Sequence, residues 1–185
     1  MGILHRHMHE KRCIYLIIKC IFLQRLYSLI TFLSFSIYVP LYFTKFVQAY
    51  EKEGIKIEAV NIQNEPCSNH KFPSCNWRSE DLAYFIGKFL GPKFEKENIQ
   101  TEIFFGTINR DNPQYTKTAL DDPAASKYIK GVGFQWDGKG AIPTIHKEYP
   151  HLKMMHTEAE CGNGSNDWGA AEHTSVSYTH LRAHA

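Results

Sequence analysis

The sequence predicts an α/β fold organised around a parallel sheet, and three observations predict it. Strand-like apolar runs alternate with helical stretches through residues 38–174, the pattern of βαβ units. The first run, Ile55 to Gln63, is largely apolar along its length, as a strand buried on both faces is. Two of the runs end on a carboxylate, Glu65 and Glu158.

The elements follow in order. Phe43, Phe46, Val47 and Tyr50 fall at i, i+3, i+4 and i+7, one face of a helix. Gly54 supplies its C-terminal stop. After the first strand, Cys67 to Trp77 is a polar loop. Ser79 reads as an N-cap, and Glu80 and Asp81 suit the positive end of the helix dipole. Leu82, Phe85, Ile86, Phe89 and Leu90 make an apolar stripe, and Gly91-Pro92 is expected to end that helix. Thr101 to Gly106 is the second strand. Asp121-Asp122-Pro123 opens a helix with a cap and an N1 proline, and this helix is expected to carry Ala125, Tyr128 and Ile129. Gly131 to Trp136 is the third strand, and Pro143 to Tyr149 a short helix closed by Pro150. Leu152 to Glu158 is the fourth strand. Asn166 or Asp167 caps a helix that begins at Trp168.

Composition narrows the function. The chain has 185 residues, with 43% hydrophobic and 14% aromatic residues, enough for one domain with a sizeable core. Lys+Arg total 21 against 19 Asp+Glu, a net charge of +2. No element carries the basic excess of a nucleic-acid binder. The five cysteines (13, 20, 67, 75 and 161) lack paired spacing, so no disulfide framework is expected. Cys67 and Cys75 are read as ordinary thiols. His5, His7 and His9 alternate, but no carboxylate or Cys pattern accompanies them, and they are read as an exposed tail. His70, Cys67 and Cys75 imitate a zinc set, yet their loop is better read as shaping the leaving-group side of a site. No metal and no cofactor are expected.

The two ends differ from the middle. Residues 1–37 are rich in Ile, Leu, Phe, Tyr, Ser and Lys. The apolar run from Cys13 to Val39 is broken by Lys19, Gln24 and Arg25, and no A-x-A-like cleavage site follows. Three readings stand for this segment: a membrane or signal segment, a buried native helix, or translation from outside the true frame, which the composition favours. Residues 175–185 resemble translated sequencing-adapter read-through and are expected to have no structural role. The expected division is therefore 1–37, a domain at 38–174, and a tail at 175–185. Secretion or membrane association is the localisation weakly favoured by the apolar N-terminus.

The carboxylates carry the chemistry. Glu65 and Glu158 each follow an apolar strand, where the loops of a closed barrel lie over its mouth. They are 93 residues apart, three βα steps of about 31 residues each. If the first strand is the fourth of a barrel, the other carboxylate sits on the seventh, facing it across the mouth. Two facing carboxylates suit glycoside hydrolysis, in which one protonates the leaving oxygen and the other attacks the anomeric carbon. A separation of about 5–5.5 Å gives retention of configuration, and a wider one inversion.

Ile62-Gln63-Asn64-Glu65-Pro66, followed by His156-Thr157-Glu158-Ala159-Glu160-Cys161-Gly162, resembles glycoside hydrolase family 30. This is the glucosylceramidase-like group of retaining β-glycosidases. The resemblance spans Tyr42 to Thr174 and includes Gln48 to Ile55, Leu90-Gly91-Pro92 and Gly131 to Trp136. It implies a partial (β/α)8 barrel holding about strands four to seven of eight. It implies Glu65 as general acid/base and Glu158 as nucleophile, preferred over Glu160 because it directly follows Thr157. It implies Asn64, Gln135 and Trp136 as substrate-binding residues, with a β-linked glycan or glycolipid as the substrate. Asp137 stands where related enzymes often have an aromatic. The fragment alone is expected to be inactive and poorly folded. Two other readings remain: a membrane-anchored, non-catalytic sugar-binding half-barrel, and an unrelated parallel α/β protein with its carboxylates far apart.

Overall fold

The computed structural model describes residues 16–17, 29–69, 71, 74–158 and 167–172. Five parallel strands form one sheet: β1 (Leu16–Ile17), β2 (Ala59–Asn61), β3 (Glu102–Ile108), β4 (Ile129–Gln135) and β5 (Lys153–Glu158). Their spatial order is their chain order, β1-β2-β3-β4-β5. Right-handed crossovers that always step the same way put the connecting helices on one face of the sheet. This is the wall of a singly wound barrel, not the two-sided layering of a doubly wound sheet.

The helices are α1 (Leu29–Lys52), α2 (Ser79–Phe85), α3 (Gly91–Lys96), α4 (Pro113–Leu120), α5 (Pro123–Ser126) and α6 (Ile142–Glu148). The core lies between them and the sheet. Val60, Ile62, Ile103, Phe105, Val132 and Phe134 from the strands meet Phe43, Val47, Leu82, Ile86, Leu90 and Ile145 from the helical layer. Along β4 and the end of β2 the alternate positions are Asn61, Gln63, Gly131, Gly133 and Gln135. These point to the other face, the barrel interior.

Most boundaries follow local chemistry. Asp122 caps α5, its Oδ1 accepting from the N–H groups of Ala124 and Ala125 at 2.8 and 3.0 Å. Asp167 caps the turn at Trp168, its Oδ1 accepting from Ala170 N at 2.8 Å. Three expectations are corrected. Ser79 is the first helical residue rather than the cap: the cap is Arg78, and Ser79 Oγ instead donates to Tyr115 O on α4. Gly91-Pro92 does not end its helix. The helical path widens into a π turn over Ile86–Leu90 and continues through α3. A widened turn accommodates a proline that lacks its N–H. Ile129 belongs to β4, because α5 stops after one turn. The sequence reading also passed over α4, which Asn112 caps by accepting from Tyr115 N.

The two glycines of this helical path serve packing. A Cβ on Gly87 would lie 2.8 Å from the Ala124 carbonyl carbon, and one on Gly91 2.2 Å from the Tyr128 ring. Helix α1 runs across residue 38, so its first turns come from the segment set apart in the sequence. Among the described residues, no helix is long and apolar enough to cross a membrane. His5, His7, His9, Cys13, Cys20, His70, Glu160, Cys161, Asn166 and the tail at 175–185 lie outside the described residues.

Candidate active site

The site forms at the C-terminal ends of β2 to β5. Glu65 follows β2 and is half-buried, with φ at +49°. Trp136 follows β4 with φ at +50°. Left-handed backbone at non-glycine residues costs on the order of 1–3 kcal/mol and collects at functional sites. Among the described residues only Asn98 shares it outside glycine.

Thr107 on β3 holds the Glu65 turn. Glu65 N donates to Thr107 O at 3.2 Å and to Thr107 Oγ1 at 3.1 Å. The Thr107 hydroxyl donates in turn to Asn64 Oδ1 at 3.1 Å. One buried threonine thus holds both the side-chain amide of Asn64 and the backbone of Glu65. Gln63 is buried beneath them, its Nε2 donating to Asn64 O at 3.0 Å and to Cys75 O at 3.4 Å.

Gln135 connects the two carboxylate-bearing strand ends. It is fully buried. Its Nε2 donates to Glu65 Oε1 at 3.0 Å, and its Oε1 lies 3.2 Å from Thr157 Oγ1, which donates to it. Gln135 is also the register partner of Glu158. Phe134 pairs with His156, so Thr157 is the extra residue of a bulge. Bulges beside active sites re-aim side chains, and here Glu158 ends β5 exposed at the mouth. Gln135 therefore bonds the Glu65 carboxylate through its side chain and pairs with Glu158 through the strand register.

The interior below is small and polar. A Cβ on Gly133 would meet Asn61 Oδ1 and Thr157 Cγ2, each at 2.8 Å. Both amide atoms of Asn61, His156 Nε2 and Trp136 Nε1 are buried with no hydrogen-bond partner. Burial lowers the proton affinity of His156, and the nearby Lys139 charge adds to this; a hydrogen bond at the Glu158 backbone opposes them. Burial raises Cys67, against the pull of Arg110 and a hydrogen bond to Tyr115. Burial likewise raises Cys75. Both are free thiols.

The loop after β2 is tied to the loop after β3. Trp77 N donates to Pro66 O at 3.0 Å and closes its neck. Asn109 Nδ2 donates to Ser68 Oγ, and Arg110 Nη2 donates to the same oxygen at 3.2 Å. Arg110 also lies 3.9 Å from the Asp137 carboxylate. Among the described residues no group of three or more His, Cys, Asp or Glu is arranged to hold a metal ion.

Of the residues singled out in the sequence, Asn64, Glu65 and Gln135 are joined directly, and Glu158 lies alongside through register. Trp136 is half-buried next to Gln135. Thr107 and Thr157 were not singled out. The sequence hides Thr107 because the strand's apolar pattern stops at Gly106, whereas β3 runs on to Ile108. Thr157 was visible as the residue before Glu158, without any sign of its partner.

A parallel barrel wall with one carboxylate after its second strand and another at the end of its fifth suits a barrel hydrolase. Residues 34–180 match the Glycosyl hydrolase family 30 TIM-barrel domain, and the chain belongs to that family. It is 31% identical over 150 residues to a putative glucosylceramidase of Caenorhabditis elegans, covering 71% of this chain and 28% of that protein. It is 31% identical over 122 residues to an endo-1,6-beta-D-glucanase of Aspergillus fumigatus, covering 63% of this chain and 25% of that protein. A solved endo-beta1,6-glucanase superposes with a TM-score of 0.66 at 26% identity, over 75% of this chain and 32% of that one. The chain spans about a quarter of the length of the curated relatives it matches. The fold is a partial (β/α)8 barrel, as the sequence led one to expect.

Proposed function

We propose that these strands form the catalytic wall of a retaining β-glycosidase acting by double displacement. The observation that carries this reading is Gln135, hydrogen-bonded to Glu65 and in register with Glu158. In the first step Glu158 attacks the anomeric carbon as the bond to the leaving oxygen breaks, and Glu65 gives that oxygen its proton. In the second, Glu65 takes a proton from water. The water oxygen bonds to the anomeric carbon, and Glu158 leaves as a carboxylate. With its Oδ1 held by Thr107, Asn64 presents its N–H to a sugar hydroxyl. The Trp136 indole lines the sugar site, where an aromatic face covers the apolar face of a pyranose.

The substrate class is a β-linked glycan or glycolipid. The names of the relatives, glucosylceramidase and endo-1,6-β-glucanase, have the β-glycosidic bond in common. The chain on its own is inactive in this reading, because the five parallel strands of the described residues leave a barrel mouth open on one side.

The test is a chimera in which residues 41–174 replace the matching segment of an active family relative. It should hydrolyse an aryl β-glucoside with retention, read by proton NMR of the first-formed anomer. Glu158→Ala and Glu65→Gln should each remove most turnover. A folded chimera without activity, or one that inverts, overturns the reading. Turnover by the isolated chain that Glu158→Ala abolishes would overturn only its inactivity.

A further inference from the structure

The reading above gives Glu65 a proton to donate but does not say which carboxyl oxygen carries it. We infer that Gln135, anchored by Thr157, is a positioning residue that directs this proton to Glu65 Oε2. The inference rests on Glu65 being the acid/base.

Gln135 Nε2 sits 3.0 Å from Glu65 Oε1 as a donor. A proton on that oxygen would face the amide N–H, two hydrogens directed at one another. A proton on Oε2 leaves Oε1 as a carbonyl acceptor and keeps the bond. The ionised carboxylate keeps it too, and more strongly, since a charged acceptor strengthens the bond. One amide orientation therefore serves the acid form and the base form alike. Nothing has to turn over between the two steps.

Thr157 holds that orientation. Its hydroxyl lies 3.2 Å from Gln135 Oε1 and 3.2 Å from Phe134 O. The Gln135 side chain is fully buried, so water does not compete for its amide. The single hydroxyl proton is shared between these two acceptors, which keeps Oε1 on the Thr157 side and the amide nitrogen toward Glu65. Thr157 directly precedes Glu158, so the bulge that ends the nucleophile's strand also orients the acid/base. The chain of contacts runs Thr157 to Gln135 to Glu65 and moves no proton along itself.

Nitrogen-15 spectra of the folded chimera read the contact without turnover. The Gln135 side-chain amide signal is identified by its loss in Gln135→Met. It should move with pH in the wild-type sequence, and this movement should vanish in Glu65→Gln. Thr157→Val should broaden or shift the signal, and Thr157→Ser should restore it. An amide signal that ignores pH, or moves equally in Glu65→Gln, overturns the inference. In the chimera, Gln135→Met should slow aryl glycosides with poor leaving groups by about 10-fold or more, since these need the acid. Glycosides with activated leaving groups should slow much less. Equal slowing of both would mean a merely structural role and would sink the inference. Activity that survives Glu65→Gln would instead remove the acid/base reading, while the amide signal still reports the contact.

Discussion

Gln135 Nε2 donates to Glu65 Oε1 at 3.0 Å across 70 residues of sequence. The same Gln135 stands in register with Glu158 on the next strand. Gln135 thus bonds one carboxylate through its buried amide and pairs with the residue bearing the other through strand register.

Thr107 should matter as much to the Glu65 turn as any charged group. Its hydroxyl accepts from Glu65 N and donates to Asn64 Oδ1. Thr107→Val keeps the shape and removes both contacts. Glu65 N keeps the Thr107 carbonyl, while Asn64 Oδ1 loses the hydroxyl, a loss of about 1–3 kcal/mol. Urea unfolding should show a lower midpoint with an unchanged slope, and Thr107→Ser should recover most of the loss.

Gly133→Ala should damage stability and site together. The added Cβ would lie 2.8 Å from both Asn61 Oδ1 and Thr157 Cγ2, and 2.9 Å from Gly106 O. The backbone oxygen cannot step aside as a flexible side chain could. Overpacking of this kind costs about 1–3 kcal/mol. A thermal melt would check the loss, and the Gln135 amide signal should shift because Thr157 is displaced.

Asp122→Ala should cost about 1 kcal/mol through the lost N-cap of α5. Asp122 Oδ1 receives two backbone N–H groups there. Asp122→Asn should be nearly neutral. A denaturant titration of the two variants separates the cap from a general effect of charge.

His156 should make the fold sensitive to acid. Burial first, and Lys139 second, lower its proton affinity in the folded chain. Unfolded histidine titrates near about 6.5. The unfolded state therefore binds more protons below that value, and stability falls as pH drops through the folded value. Above about 6.5 the contribution is intact. His156→Gln should flatten this acid limb, measured as the difference in urea midpoint between about pH 7.5 and about pH 5.

Cys67 and Cys75 should react slowly with iodoacetamide near neutral pH. Burial raises both, and the thiolate is the nucleophile. Their labelling, followed by peptide mass spectrometry, should accelerate as the solution becomes more alkaline. Rapid labelling of Cys67 at neutral pH would show that Arg110 outweighs burial.

The sequence made the alternation of strands and helices legible because each element rests on nearby residues. The stripe Phe43, Phe46, Val47, Tyr50 and the cap at Asp122 are satisfied within one or two turns. It misled at Gly91-Pro92, where a local stop signal met a non-local use. Gly87 and Gly91 are small because Ala124 and Tyr128 pack against them, and the π turn carries the helical path past the proline. It misled again at Ser79, whose hydroxyl is taken by Tyr115 O, 36 residues on.

By itself the sequence determined the parallel α/β class, the strand ends bearing Glu65 and Glu158, and the family to which those motifs belong. Periodicity, caps and short motifs are properties of neighbouring residues, and one chain displays them directly. Only the tertiary structure decided that Gln135 is buried between Glu65 and Thr157, that Thr107 holds Asn64, and that Thr157 forms the bulge. Those contacts join strands 22 to 70 residues apart, and they exist only once parallel pairing has fixed the register. A one-residue slip would turn each of these side chains to the opposite face of the sheet.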